Sequence, residues 1–291
     1  MTIDDLHQEG EENSGPGEPV RDALASGDAA PDDDAPWNAR RLSPRWAAAV
    51  ALLLLAACGT AYGVTRLDRS DLPGLGTVHD GRQTYPELTG APLPPGRPRP
   101  FDSVNSGNVH YADLRDLVLP VPEGDRENRE LEGDDGWLPV SRLAAEYASA
   151  DERATVTGLL HAQALRHIAA RGWTTAGGGR VRIYLLQFKS GAVVNSLYVQ
   201  DFAGTTPAHA LAGAADVGAD RPLDSTESTD GVHADLYVDE APYGATQTRE
   251  AYLAAGDVLA LVVQSGGSDG DTDKAETAFR QAVALQGRLL G

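Results

Sequence analysis

The chain has one cysteine, two lysines and no clustered histidines, and each shortage removes a class of explanation. Cys58 stands alone among 291 residues, so no intrachain disulfide forms and an exported domain must be stable through its core. Positive charge is nearly all arginine, with lysine only at Lys189 and Lys274, and the formal net charge is -19. No basic patch with interleaved aromatics occurs, so no nucleic acid partner is expected. His161 and His167 share a predicted helix, but their spacing turns them ~240° apart, and zinc patterns such as H-E-x-x-H are absent. No S-x-x-K motif and no glycine-rich phosphate loop after a strand occurs. No metal site and no cofactor is expected.

Two motifs match in letters and fail in context. Gly266-Gly267-Ser268-Asp269-Gly270 satisfies G-x-S-x-G between a predicted strand and helix, as a nucleophile elbow would. However, Asp271 and Thr272 separate the serine from the helix cap, and the last histidine, His233, lies upstream of it. The triad order of an α/β-hydrolase is therefore missing. Asp269, Asp271 and Asp273 alternate like a calcium loop, but Lys274 and Arg280 occupy the glycine and glutamate positions. Acids at a helix start are favourable without an ion. Scattered Asp and Glu pairs carry no glycosidase signature. The chain is thus not expected to be an enzyme, and a cell-envelope hydrolase of unrecognised type is the alternative.

What the sequence does contain is Trp46–Thr65, a charge-free run. At about 1.5 Å per helical residue it would cover roughly 30 Å, a bilayer's hydrocarbon core. Arg40, Arg41 and Arg45 precede it, which predicts a single-pass transmembrane helix over 46–65 with the N-terminus cytoplasmic and the C-terminal region extracytoplasmic. The run also contains Leu55-Ala56-Ala57-Cys58, the form of a bacterial lipobox, and the alternative is a lipoprotein anchored through Cys58. Apolar character past Cys58 and the 45 residues before the run favour the retained helix. Gly59 and Gly63 have the spacing of a helix-pairing motif, and small residues around them are common enough to supply it by chance.

Residues 1–45 are acidic and poor in large apolar groups, which predicts a disordered cytoplasmic tail. Residues 66–100 read as a stalk, proline-dense from Pro86 to Pro100. Residues 101–136 predict a short helical segment carrying Leu114, Leu117 and Val118, then an exposed acidic loop. The folded domain is expected over 137–291. A helix from Ser149 carries Val156, Leu159, Leu160, Ala164 and Ile168. A hairpin of 173–175 and 180–188 turns at Gly177, Gly178 and Gly179. A helix capped by Ser190 carries Val194, Leu197, Tyr198 and Phe202. Strands over 232–238, 247–254 and 258–264 follow, then a helix with Asp273 and Glu276 as capping box. The prediction is an α+β fold, an antiparallel sheet with helices packed on one face.

The acidic tail, the Arg-flanked anchor containing Leu55-Ala56-Ala57-Cys58, the proline-rich stalk and a domain beginning near Gly136 and Trp137 form one layout. Arg171-Gly172-Trp173-Thr174-Thr175 and Tyr184-Leu185-Leu186-Gln187-Phe188 before a Ser-capped helix belong to it too. That layout resembles actinobacterial membrane-anchored or lipoprotein-type extracytoplasmic proteins. It is also loosely similar to the sensor ectodomains of actinobacterial receptor kinases, though the cytoplasmic tail is far too short for a kinase. The resemblance implies a tethered binding or interaction domain and no catalytic residues. The partners expected are the membrane through 46–65 and a cell-envelope protein or small ligand. Trp173, Tyr184 and Tyr237 are the aromatics a binding surface would draw on, but aromatics in strands are usually core.

Overall fold

Apolar residues occupy both parities of the central strands, and that pattern decides the architecture. The computed structural model describes residues 80–291 apart from 215, 244–245 and 267–269, all within one compact unit. In chain order the elements are β1 (Arg126–Glu127), α1 (Val140–Ala144), α2 (Ala150–Ala162), β2 (His167–Thr174), β3 (Arg180–Gln187) and α3 (Gly191–Leu197). They continue with β4 (Val217–Ala219), β5 (Val232–Asp239), β6 (Thr248–Ala255), β7 (Val258–Ser265) and α4 (Thr272–Leu290). The strands form a seven-stranded antiparallel sheet ordered β1-β2-β3-β7-β6-β5-β4.

All eight residues of β6 are buried, which needs cover on both faces. On one face Tyr184, Leu186, Tyr252, Leu259 and Leu261 meet Val156 and Leu160 of α2 and Val194 and Leu197 of α3. On the other, Val181, Ile183, Leu185, Leu253, Ala260 and Val262 meet Phe279, Val283 and Leu290 of α4. The expectation of helices on one face is therefore corrected. The run Val258–Val263, apolar at every position, already carries the two-sided signal.

The second face is covered in part by chain that has no strand partner. Leu114, Leu117, Val118 and Leu119 are buried there, with Leu114–Leu117 forming a 3-10 turn, and Tyr85, Leu88 and Ala91 pack beside them. Residues 80–100, expected as stalk, thus lie against the domain, because these apolar side chains complete the face that α4 leaves open. Their backbone groups take side-chain partners instead of a ladder, as buried peptide groups must. Gln281 of α4 accepts from Gln83 N at 2.7 Å and donates to Gln83 O at 2.9 Å. Gln286, five residues further on, accepts from Leu119 N and donates to Leu117 O, both at 2.9 Å. Arg171 of β2 adds a bond of 2.8 Å to Val118 O.

Several boundaries move. The helix that begins at the Ser149 cap ends at Ala162, and Ile168 falls in β2 instead of on the helix. Ala164 adopts a positive φ of 52° there, which breaks the helix, and eight residues of β2 then pair with β3. Asp271, and not Asp273, caps α4 by accepting from Lys274 N at 3.2 Å. The acidic loop contributes β1, which pairs with Trp173 and Thr174, and Leu131 enters the core. No helix among the described residues is long and apolar enough to cross a membrane. The tail over 1–45, the span over 46–65 and Cys58 lie outside the described residues.

The side-chain ladder has a measurable consequence. Gln286 is fully buried, so Gln286→Leu strands the Leu117 carbonyl and the Leu119 amide without water. We expect a loss of about 2–4 kcal/mol in chemical denaturation. Gln281→Leu, at a half-buried position, is expected to cost less than half as much; equal costs would contradict the role assigned to burial.

Candidate functional site

The residues singled out by sequence divide between structural duties and the undescribed loop. Ser268 and Asp269 lie outside the described residues. Asp271 is occupied as the α4 cap and pairs with Lys274 Nζ at 3.0 Å, contacts that hold its carboxyl below the usual range. Trp173, Tyr184 and Tyr237 are core residues, each no more than 1 % exposed. His167 stacks on Trp137 with centroids 4.5 Å apart, and His209 bonds Glu152 at 2.7 Å. Among the described residues no group of three His, Cys, Asp or Glu side chains is placed to hold a metal ion.

The structure brings together one pair that sequence reasoning missed, because its members are far apart in the chain. His110 Nδ1 lies 2.7 Å from Asp257 Oδ1, and both side chains are buried. A histidine on a carboxylate is half of an acid–base relay, but here the other ring nitrogen, Nε2, faces the Leu290 carbonyl at 2.9 Å. Both ring nitrogens face oxygen partners, and no nucleophile among the described residues meets the ring. Gln187 donates to Asp257 Oδ2 at 3.1 Å, and the His110 amide donates to Asp257 Oδ1 at 2.8 Å. The turn at Gly256 fits against Asn108 only because it lacks a Cβ; its φ is +50°. This knot fastens residues 108–110 to the β6–β7 turn and to the last turn of α4.

Beside the knot a cleft of about 410 Å³ opens between the covering segment and α4. Leu88, Ala91 and Leu93 form one wall, Leu285 and Leu289 the other, and Ala112 and Leu117 lie between. Leu285 and Leu289 are four apart, one above the other on the helix. Arg99 and Arg288 stand at the rim, both exposed and neither in an ion pair among the described residues. Arg97 lies over the ring of Tyr111, another lining residue, 4.7 Å from its centroid. A volume in the ~300–1,000 Å³ range with apolar walls and a few fixed polar groups is the usual form of a small-molecule site. Its two walls come from sequence stretches about 190 residues apart, so no local motif announces it.

A second unusual feature lies across the sheet. Glu250 is 1 % exposed and neither carboxyl oxygen has a hydrogen-bond partner; Asp239, also 1 % exposed, leaves Oδ2 unpartnered. Burial, with the Asp239 charge beside it, pushes the Glu250 carboxyl up to about 8. Tyr147 and Tyr252, whose hydroxyls are 3.4 Å apart, share that region, and burial raises both phenols well above their usual range. By contrast, Arg182 Nε meets Glu146 at 2.8 Å, and Arg280 donates to Arg221 O, Pro222 O and Glu227 at 2.7–2.8 Å. Those buried cations are consumed by the fold.

No family model, no curated protein and no solved structure matches the chain. The geometry alone therefore carries the functional reading.

Glu250 gives a signed pH dependence. The folded protein keeps the proton up to about pH 8, whereas the unfolded chain releases it near the ordinary value of 4.5. Folding stability contributed by the neutral acid is complete below that ordinary value and falls as pH rises toward 8. Glu250→Gln removes this slope, and we expect it to stabilise the protein by on the order of 3 kcal/mol at pH 7.5 and by little at pH 4. Urea melts across that range check it. Equal effects at both ends would contradict the buried-acid account.

Proposed function

We propose that this chain is a membrane-tethered, extracytoplasmic binding domain without catalytic activity, whose ligand enters the cleft between residues 88–93 and the end of α4. The preformed amphipathic cleft is the observation that carries the reading. Its walls are fixed by the His110–Asp257 knot and by the glutamine bonds from α4, so a ligand meets an organised site and loses little affinity to ordering it. In the acid–base pair beside it, the second ring nitrogen of His110 is occupied by the Leu290 carbonyl. The tether rests on the charge-free run 46–65 with its preceding arginines, and on the resemblance to actinobacterial membrane-anchored and lipoprotein-type extracytoplasmic proteins.

Leu55-Ala56-Ala57-Cys58 supports a second form of the tether, with Cys58 lipidated and residues 1–57 removed. Intact mass of the protein extracted from membranes separates the two. A chain retaining residues 1–57 supports the helix, and one beginning at a lipid-modified Cys58 supports the lipoprotein.

The binding reading is tested with a polarity-sensitive dye on Leu93→Cys in a Cys58→Ser background. A small-molecule extract of the native envelope is expected to give a saturable blue shift, lost when Ala112→Trp fills the cleft. The same dye at Val104→Cys, 79 % exposed, should not respond. Composition of the extract should be unchanged after incubation. Consumption of a component with release of a product would support the hydrolase alternative and overturn this reading.

A further inference from the structure

We infer that the ligand of this cleft is a long-chain carboxylate, a single hydrocarbon chain ending in one anionic head. The inference rests on the binding reading above and goes beyond it by naming the ligand's chemistry. Two observations combine. The walls are mainly hydrocarbon, from Leu88, Leu93, Leu285 and Leu289, and besides the arginines the only polar side chains of the lining are His110 and Tyr111. Sugars and peptides carry many donors and acceptors, and burying them unpaired against leucine is unfavourable.

The rim supplies the second observation. The chain carries 43 acidic against 24 basic residues, yet the charged side chains lining this cleft are Arg99 and Arg288. Neither is in an ion pair among the described residues, although Arg288 donates to the Thr226 carbonyl at 3.0 Å, whereas the buried Arg249 and Arg280 are paired with Asp220 and Glu227. Arg97 lies 4.7 Å over the ring of the lining residue Tyr111. A planar guanidinium matches the two oxygens of a carboxylate. An alkyl tail along the leucines with its head at the rim therefore satisfies both parts of the lining. Neutral alcohols satisfy only one, and cationic amphiphiles are repelled.

The occupant is a monomeric acid and not the bilayer surface. An open cleft of roughly 410 Å³ between a helix and an extended segment is a slot for one chain. A bilayer-docking face would instead present its apolar side chains outward. Among the large hydrophobics of the described residues, only Leu93 in this region passes one-third exposure, at 37 %.

The fragment Arg69–Gly291 suits the test, because every described strand, helix and both cores lie within that compact unit. Titration calorimetry with dodecanoate, dodecanol and dodecyltrimethylammonium, all below micelle-forming concentrations, reads the preference. Dodecanoate is expected to bind one to one, about five- to tenfold more tightly than dodecanol at low salt, with the gap closing as salt is raised. The cationic analogue should bind more weakly than either. Across saturated acids of increasing length, affinity should rise roughly two- to fourfold per methylene and then level off as the slot fills. Arg99→Ala with Arg288→Ala should bring dodecanoate to the affinity of dodecanol while leaving dodecanol binding unchanged. Ala112→Trp should abolish binding of both.

Equal affinity for dodecanoate and dodecanol would overturn the anionic preference while leaving the binding reading in place. Undiminished binding to Ala112→Trp would show that the acid sits elsewhere and would overturn the inference. So would association with anionic vesicles in the absence of monomer binding. The dye response to envelope extract, measured separately, shows whether the binding reading itself fails.

Discussion

Everything in this structure follows from a sheet that is apolar on both faces. The middle strands β3, β6 and β7 place aliphatic and aromatic side chains up and down in alternation, and neither side tolerates water. α2 and α3 close one face. α4 alone is too narrow for the other, and residues 85–91 and 114–119 fill the remainder as extended chain. Extended chain without a strand partner brings unpaired peptide groups to a buried surface. Gln281 and Gln286 act in place of the missing strand, each offering one acceptor and one donor to a backbone amide and carbonyl. The hydrophobic requirement is met only because this polar one is met too.

The cleft is a by-product of that solution. A helix and an irregular segment cannot mesh along their whole length as two helices or two strands do. They are drawn together where the glutamines and the His110–Asp257 knot bind them, and they separate where those bonds end. Between those fastenings α4 leaves Leu285 and Leu289 only partly buried. Natural buried acids such as Glu250 are costly, and its raised pKa marks a part of the core that is not optimised for stability.

Much of the sheet was legible in the sequence because its strands carry their own signals. The hairpin turning at Gly178, the β6–β7 pair at Gly256 and the stripe Val194, Leu197, Tyr198, Phe202 all read from local periodicity and turn chemistry. The misread stretch was Ala164–Arg171, where alternating small and large residues fit a helix face as well as a strand, and pairing with β3 decides. Residues 80–100 were hidden by prolines, which mark extended chain but do not say whether it is free or packed. The site was illegible for a different reason. His110 and Asp257 are 147 residues apart, and Arg99 and Arg288 are isolated arginines until the fold gathers them at one rim.

The account stands on the claim that the ligand lies between the extended segment and α4. Backbone NMR of Arg69–Gly291 with and without dodecanoate tests this most directly. Shift changes should centre on residues 88–93, 111–117 and 285–290 and leave the opposite end of the sheet, at Gly178 and Gln264, unmoved. Changes centred on that opposite end, or on the exposed edge of α2, would contradict it.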